Sequence, residues 1–179
     1  MTIRHHLVLT FILVVTLCMT ACNQVAQNES NSTEDEVSQG SYRPSMAEIS
    51  YEPSDDDLAA LPQDSITEEA FDGDAEAQYR TAYRYIYGES VEQDYEKAEY
   101  WSMKAALQDY PNAYYGLAWI YYDGGHGIAQ DYKKARYWYQ EAIGEETEFD
   151  IDAANSLGFL HLEGLGGPKD YQQARKLFE

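Results

Sequence analysis

Apolar and polar positions alternate along this chain with a helical rhythm from about residue 75 onward, and the rhythm comes in paired segments. Behind Asp94 the apolar residues Ala98, Trp101 and Ala105 fall three or four positions apart, which places them on one face of a helix. The phrase that carries them, Asp94-Tyr95-Glu96-Lys97-Ala98-Glu99-Tyr100-Trp101, returns as Asp131-Tyr132-Lys133-Lys134-Ala135-Arg136-Tyr137-Trp138. A looser copy runs Asp170-Tyr171-Gln172-Gln173-Ala174-Arg175-Lys176-Leu177. The step is 37 residues from Asp94 to Asp131 and 39 from Asp131 to Asp170. A near-constant period of this length marks a stacked array of small units.

A second apolar segment precedes each copy. The three versions begin at Ala77, Ala113 and Ala153, and each ends eleven positions later on a glycine, Gly88, Gly124 or Gly164. A further column, Ala82, Ala118 and Gly158, also stays small. Small residues inside a helix let a neighbouring helix come close. The terminal glycine supplies the left-handed backbone of a helix C-terminal cap. The aspartate that opens each second segment is a good N-cap, because its carboxylate accepts from free N–H groups of the first turn. Each unit therefore reads as helix A, a glycine-bounded loop and helix B. Neither helix can bury its apolar stripe alone, whereas stacked units bury it together. The expected fold class is all-α, with helix-turn-helix repeats stacked as an α-solenoid.

The pattern A-x4-G/A-x2-Y-x2-G, a loop, then D-x2-K-A-x2-W resembles the Sel1-like repeat, a relative of the tetratricopeptide repeat. The resemblance covers Gly73 to Glu179 and implies a right-handed superhelix that mediates protein–protein interaction. It departs from the pattern at Thr81, where the later units carry Leu117 and Leu157, at Leu177 in place of tryptophan, and at Gly167-Pro168 in the third loop. The expected repeat domain spans 65–179. It opens on a capping helix over 65–72, started by Ser65 with Glu68 three positions on. Units of about 73–109, 110–149 and 150–179 follow, the last incomplete relative to its siblings.

Fifteen of the seventeen tyrosines lie at or after Tyr79. Tyr85, Tyr121, Trp101 and Trp138 read as core, and His161 as a core substitution in the Tyr85/Tyr121 column. In arrays of this kind helix A lines the inner curve, where partners bind, and Tyr, Trp and Arg are enriched at binding hot spots. The resemblance thus points to Tyr79, Arg80, Tyr83, Tyr115, Trp119 and Phe159 as partner-binding residues. Packing between helices is the competing reading for each of them.

The start of the chain is different. Arg4, an apolar run from Leu7 to Leu17, and Met19-Thr20-Ala21-Cys22 read as an export signal, too short to be an ordinary spanning helix of about 20 residues. Thr20-Ala21-Cys22 resembles a bacterial lipobox. The resemblance implies removal of residues 1–21 and lipidation of Cys22, and several acyl chains hold a membrane stably. Cys18 would leave with the signal, so the domain itself carries no cysteine and no disulfide framework. Some secreted relatives with paired cysteines in every unit have been linked to β-lactam binding, and that activity is not expected here. Residues 22–64 are rich in Asn, Gln, Ser, Glu and Asp, with Pro44, Pro53 and Pro62 spaced along them, and read as a disordered acidic tether. The expected location is the bacterial cell envelope, by lipid anchor, with the periplasmic face of the outer membrane favoured by Asn23 after the lipid site.

The formal charge of −20 argues against phosphate-backbone binding, so no nucleic acid is expected, and it favours a basic protein partner. The one basic group, Lys133-Lys134-Ala135-Arg136, reads as a solvated face. No nucleophile motif, metal-ligand spacing or phosphate-binding glycine loop is present, and His126 reads as an exposed loop residue. The expectation is a scaffold or adaptor without catalytic residues, metal or cofactor. The alternative is a cell-wall glycan binder or envelope hydrolase that uses acidic residues of the inner curve.

Overall fold

Aspartates set the start of five of the described helices, among them all three B helices. In the computed structural model, which describes residues 45–49 and 51–179, Asp74, Asp94, Asp131 and Asp170 each accept backbone N–H groups two or three positions on. The expected signal peptide 1–21, the lipidation site Cys22 and the tether as far as residue 44 lie outside the described residues. Among the described residues there are eight α-helices and no strand. After a short 3-10 turn at Met46–Glu48 come α1 (Asp55–Ala59), α2 (Ser65–Asp72), α3 (Ala75–Tyr87), α4 (Tyr95–Ala106), α5 (Pro111–Asp123), α6 (Tyr132–Ala142), α7 (Asp150–Glu163) and α8 (Tyr171–Phe178). Helices α3, α5 and α7 are the A helices, and α4, α6 and α8 the B helices. From α2 on, each helix packs on the next. Helix α3 also touches α5, which sets the first two A helices side by side as a solenoid requires.

The units join through their loops. The N–H of Tyr95, at the start of α4, donates to the carbonyl of His126 in the following loop at 3.0 Å, and the Tyr95 hydroxyl donates to Asp123 at 2.8 Å. The same docking recurs one unit on, where Gly166 lies against the first turn of α6. A Cβ there would stand 2.4 Å from the Tyr132 carbonyl, so only glycine allows the approach. Between these joints the core holds Trp101, Trp138, Tyr85 and Tyr121, all at most 4% exposed.

A layer of lysines covers the tyrosine column. Lys97 Nζ lies 5.7 Å from the Tyr85 ring centre, and Lys134 Nζ lies 4.6 Å from that of Tyr121. These are cation–π distances. The third unit carries His161 and Gln173 at the two places, so ring and cation change together. Tyr121 also donates its hydroxyl to Glu99, a carboxylate only 4% exposed, with Lys134 Nζ 3.4 Å from the same oxygen. The run 133–136 is therefore not a purely solvated face, as the sequence suggested. Lys134 sits over an aromatic ring. Arg136 donates to the Leu160 carbonyl at 2.6 Å and the Pro168 carbonyl at 3.3 Å, tying α6 to the end of α7 and its loop.

Two expectations at the N-terminal side need correction. The cap of α2 is Asp64, which accepts from Thr67 N at 3.0 Å, and Ser65 is already helical. An aspartate one residue upstream offers a stronger, charged acceptor. Ordered elements also begin before residue 65, with the turn at Met46–Glu48 and α1 at Asp55–Ala59. Ser54 and Asp57 form a capping box on α1, Asp57 pairs with Lys97 of α4 at 2.9 Å, and the Tyr51 ring meets Tyr100 edge-on at 6.1 Å. Leu61 is 3% exposed and packs with the first unit's core. The later part of the expected tether thus covers the outer side of the first repeat, the capping role a solenoid needs at its end. Its apolar residues show no helical period because they pack on the repeats, Met46 and Ile49 against one part of the core and Leu58 and Leu61 against the other.

Candidate functional site

Helix α3 presents a stripe of aromatic rings. Tyr79, Tyr83 and Tyr87 stand four residues apart, so they share one face. Ring centres are 6.3 Å apart for Tyr79 and Tyr83 and 4.4 Å for Tyr83 and Tyr87, and Tyr110 extends the row 5.6 Å from Tyr79. Across from this stripe the segment entering α7 brings up Glu148 and Phe149. Phe149 is held in place by Tyr115 of α5, whose ring lies flat against it at 4.7 Å with a 6° interplanar angle. Between the two walls lies a cleft of about 510 Å³, with Ile66, Arg80, Arg84 and Glu89 completing its rim.

The charges in this cleft are unevenly committed. Arg80 pairs with Glu76 one helical turn back at 2.5 Å, a solvated surface contact. Arg84 is more enclosed. It meets Asp64 at 2.6 Å and the Thr67 hydroxyl at 3.3 Å, and this guanidinium holds the Asp64 carboxyl down at about 2. Among the described residues Glu89 and Glu148 join no ion pair. Burial pushes the Tyr79 phenol up, and the negative charges of its surroundings, Glu148 among them, push the same way. Tyr87 is raised by burial first and then by its neighbours Tyr83 and Glu89. Such a site can grip a ligand between aromatic faces and carboxylates. No group of three or more His, Cys, Asp or Glu side chains among the described residues is placed to hold a metal ion.

The six partner-binding candidates divide. Tyr79, Arg80 and Tyr83 line the cleft, although Tyr79 is only 8% exposed and serves as core and wall together. Tyr115 supports the cleft from behind through Phe149. Trp119 packs on the first unit's core and Phe159 is 42% exposed on α7, and neither lines the cleft. Sequence reasoning missed Tyr87, Glu89, Glu148 and Phe149. The four-residue step from Tyr79 through Tyr83 signalled Tyr87. Nothing local signalled Glu148 and Phe149, since the fold carries them to α3 from a loop some 60 residues away.

The Sel1 repeat model matches residues 75–110, 111–143 and 151–179, more than half of the chain, and its segments open where α3, α5 and α7 open. The chain is similar to a protective antigen present in uropathogenic Escherichia coli strains, whose crystal structure displays an SLR fold. Identity is 32%, the match covers 66% of this chain and 24% of that one, and the TM-score is 0.58. This chain therefore spans about a quarter of the antigen's length. It is also similar to a Sel1 repeat protein from Oxalobacter formigenes, with 30% identity, coverage of 63% of this chain and 81% of that one, and a TM-score of 0.51. A search of curated proteins finds no match to the chain. With three matched units of an A helix and a B helix, the second and third docked through their loops on the unit before, the chain belongs to the Sel1 repeat family.

Proposed function

We propose that this is a lipid-anchored protein of the bacterial envelope whose repeats act as a scaffold or adaptor, holding a protein partner in the cleft of α3. Sel1 repeat proteins mediate protein–protein interaction, which is the class of function to start from. The observation that carries the reading is the cleft itself. It is concave, walled by aromatic rings from two units, and rimmed by a few polar groups, the composition of a binding site rather than of a packing seam. The net charge of −20 favours a basic partner. Lipidation at Cys22 supplies the membrane link, and likeness to an antigen of a Gram-negative bacterium agrees with an exported protein.

Two variants test the two halves of this reading. Cys22→Ser should leave the protein in the soluble fraction or unprocessed, and unchanged membrane partition would remove the anchor from the proposal. Tyr83→Ala should weaken binding of peptides selected on the wild-type protein by at least about tenfold, while its melting temperature moves by a few degrees at most. Selected peptides that bind Tyr83→Ala as well as they bind the wild type would place the partner surface elsewhere.

A further inference from the structure

The two arginines of the α3 cleft are spoken for and its two glutamates are not. Arg80 holds Glu76 and Arg84 holds Asp64, so an incoming anion would have to displace a carboxylate already in place. An incoming cation breaks no pair. Glu89 follows Tyr87 at the end of α3, and Glu148 stands beside Phe149 on the opposite wall, close enough to Tyr79 for its charge to act on that phenol. Tyr83 and Tyr87, with ring centres 4.4 Å apart, line the same cleft, and cations are attracted to tyrosine faces. A neutral occupant would strip water from two carboxylates and return nothing, which is unfavourable. A volume of about 510 Å³ takes a side chain and the peptide groups beside it, and is small for a helix about 10 Å across.

We propose that the cleft holds a lysine or arginine side chain of an extended segment of the partner protein, its cation between Glu89 and Glu148 and its stem along Tyr83 and Tyr87. This rests on the reading of the cleft as the partner site, and it adds what that site selects. The aliphatic part of a long basic side chain suits the ring faces while the charged head reaches the carboxylates. The protein's overall negative field would draw such a segment in and weaken its approach as salt is raised.

The test uses four end-blocked pentapeptides, GFKFG, GFRFG, GFQFG and GFEFG, titrated into the isotope-labelled full chain carrying Cys22→Ser and followed by amide NMR. The Lys and Arg peptides should perturb the amides of Tyr83, Tyr87, Glu89 and Phe149. They should bind about tenfold more tightly than the Gln peptide, a difference of about 1.4 kcal/mol. In the double variant Glu89→Gln/Glu148→Gln the preference for Lys over Gln should fall below about threefold, with Gln-peptide binding and thermal melting retained. Equal affinity for the Lys and Gln peptides, both lost in Tyr83→Ala, overturns the cation selection and leaves the cleft as a partner site. Preference for the Glu peptide overturns it in favour of Arg80. Perturbation of the same amides by chitotriose and by none of the peptides overturns both this proposal and the protein-binding reading.

Discussion

Helices α4 and α8 open on the same phrase and the same aspartate cap, yet they live in different surroundings. In α4 eight residues are buried, among them Trp101, Met103 and the polar Glu99 and Ser102, because α3 covers one side and α5 the other. In α8 only Ala174 is buried, and Tyr171 and Phe178 are 63% and 50% exposed. Helix α8 packs on α7, with the Phe178 ring laid over Gly158. The difference does not lie in helix-forming tendency or in capping. It comes from the number of neighbours, so stability in this array resides in the joints between units more than in the units.

The largest test of that contrast is truncation of one aromatic residue on each B helix. Trp101→Ala and Trp138→Ala should each cost about 3–5 kcal/mol in urea unfolding, as buried aromatic truncations do. Phe178→Ala, half exposed, should cost about 1 kcal/mol. Similar losses at all three positions would mean that α8 is as integrated as the inner helices.

Hydrogen exchange asks the same question without mutation. Backbone amides of Tyr171–Phe178 should exchange at least about tenfold faster than those of Tyr132–Ala142, because a short helix with one neighbour opens locally. Equal protection would show that something covers the outer face of α8.

Titration separates the middle of the array from its N-terminal cover. Burial pushes the phenols of Tyr114 and Tyr115 up to about 12 from 10.0. Their neutral form is the one the fold prefers, so this stabilisation is complete below pH 10 and is lost as pH rises towards about 12. Phenolate absorbance of the native protein should therefore lag that of the urea-unfolded chain. Asp64 has the opposite sign. Held at about 2 by Arg84 against an ordinary 3.8, it contributes stability that is present above that value and lost as pH falls to about 2. Acid should accordingly loosen α2 before the middle units, and exchange of the Ala70 and Phe71 amides at low pH reads that order.

The smallest expected effect is that of Gly158→Ala. A Cβ there would stand 2.6 Å from the Phe178 ring, which lies at the free end of a side chain and can swing away. Alanine is worth up to about 1 kcal/mol over glycine inside a helix, so the net change in stability should be near zero. Exchange across α8 should rise nonetheless. A clear loss of stability would show that the Phe178–Gly158 contact holds the third unit together.

These outcomes track what could be read early and what could not. The N-caps Asp94, Asp131 and Asp170 and the left-handed closing glycines Gly88 and Gly164 were legible because capping is decided within one turn of chain, whereas Gly124 closes α5 at φ 66° with an extended ψ of 179° instead of the expected left-handed turn. The buried tryptophans were legible because helical spacing marks an inward face. Lys134 and Arg136 were misread because their partners, the Tyr121 ring and the Leu160 and Pro168 carbonyls, belong to other segments. The ordered stretch before Ser65 escaped for the same reason. Met46, Ile49 and Leu61 look scattered until the repeats are there to receive them.

The candidate site shows the division most clearly. Repetition by itself determined an all-helical array, its units, their caps and the column of tyrosines on α3, because each follows from spacing along a single helix or from one residue's backbone preference. Only the tertiary structure decided that Phe149 and Glu148 stand opposite that column, that Trp119 and Phe159 lie away from the cleft, and that two arginines are neutralised while two glutamates are left open. A cleft is made between segments distant in sequence, and its charge balance depends on which neighbours each side chain meets, so the chain had to be stacked before either existed.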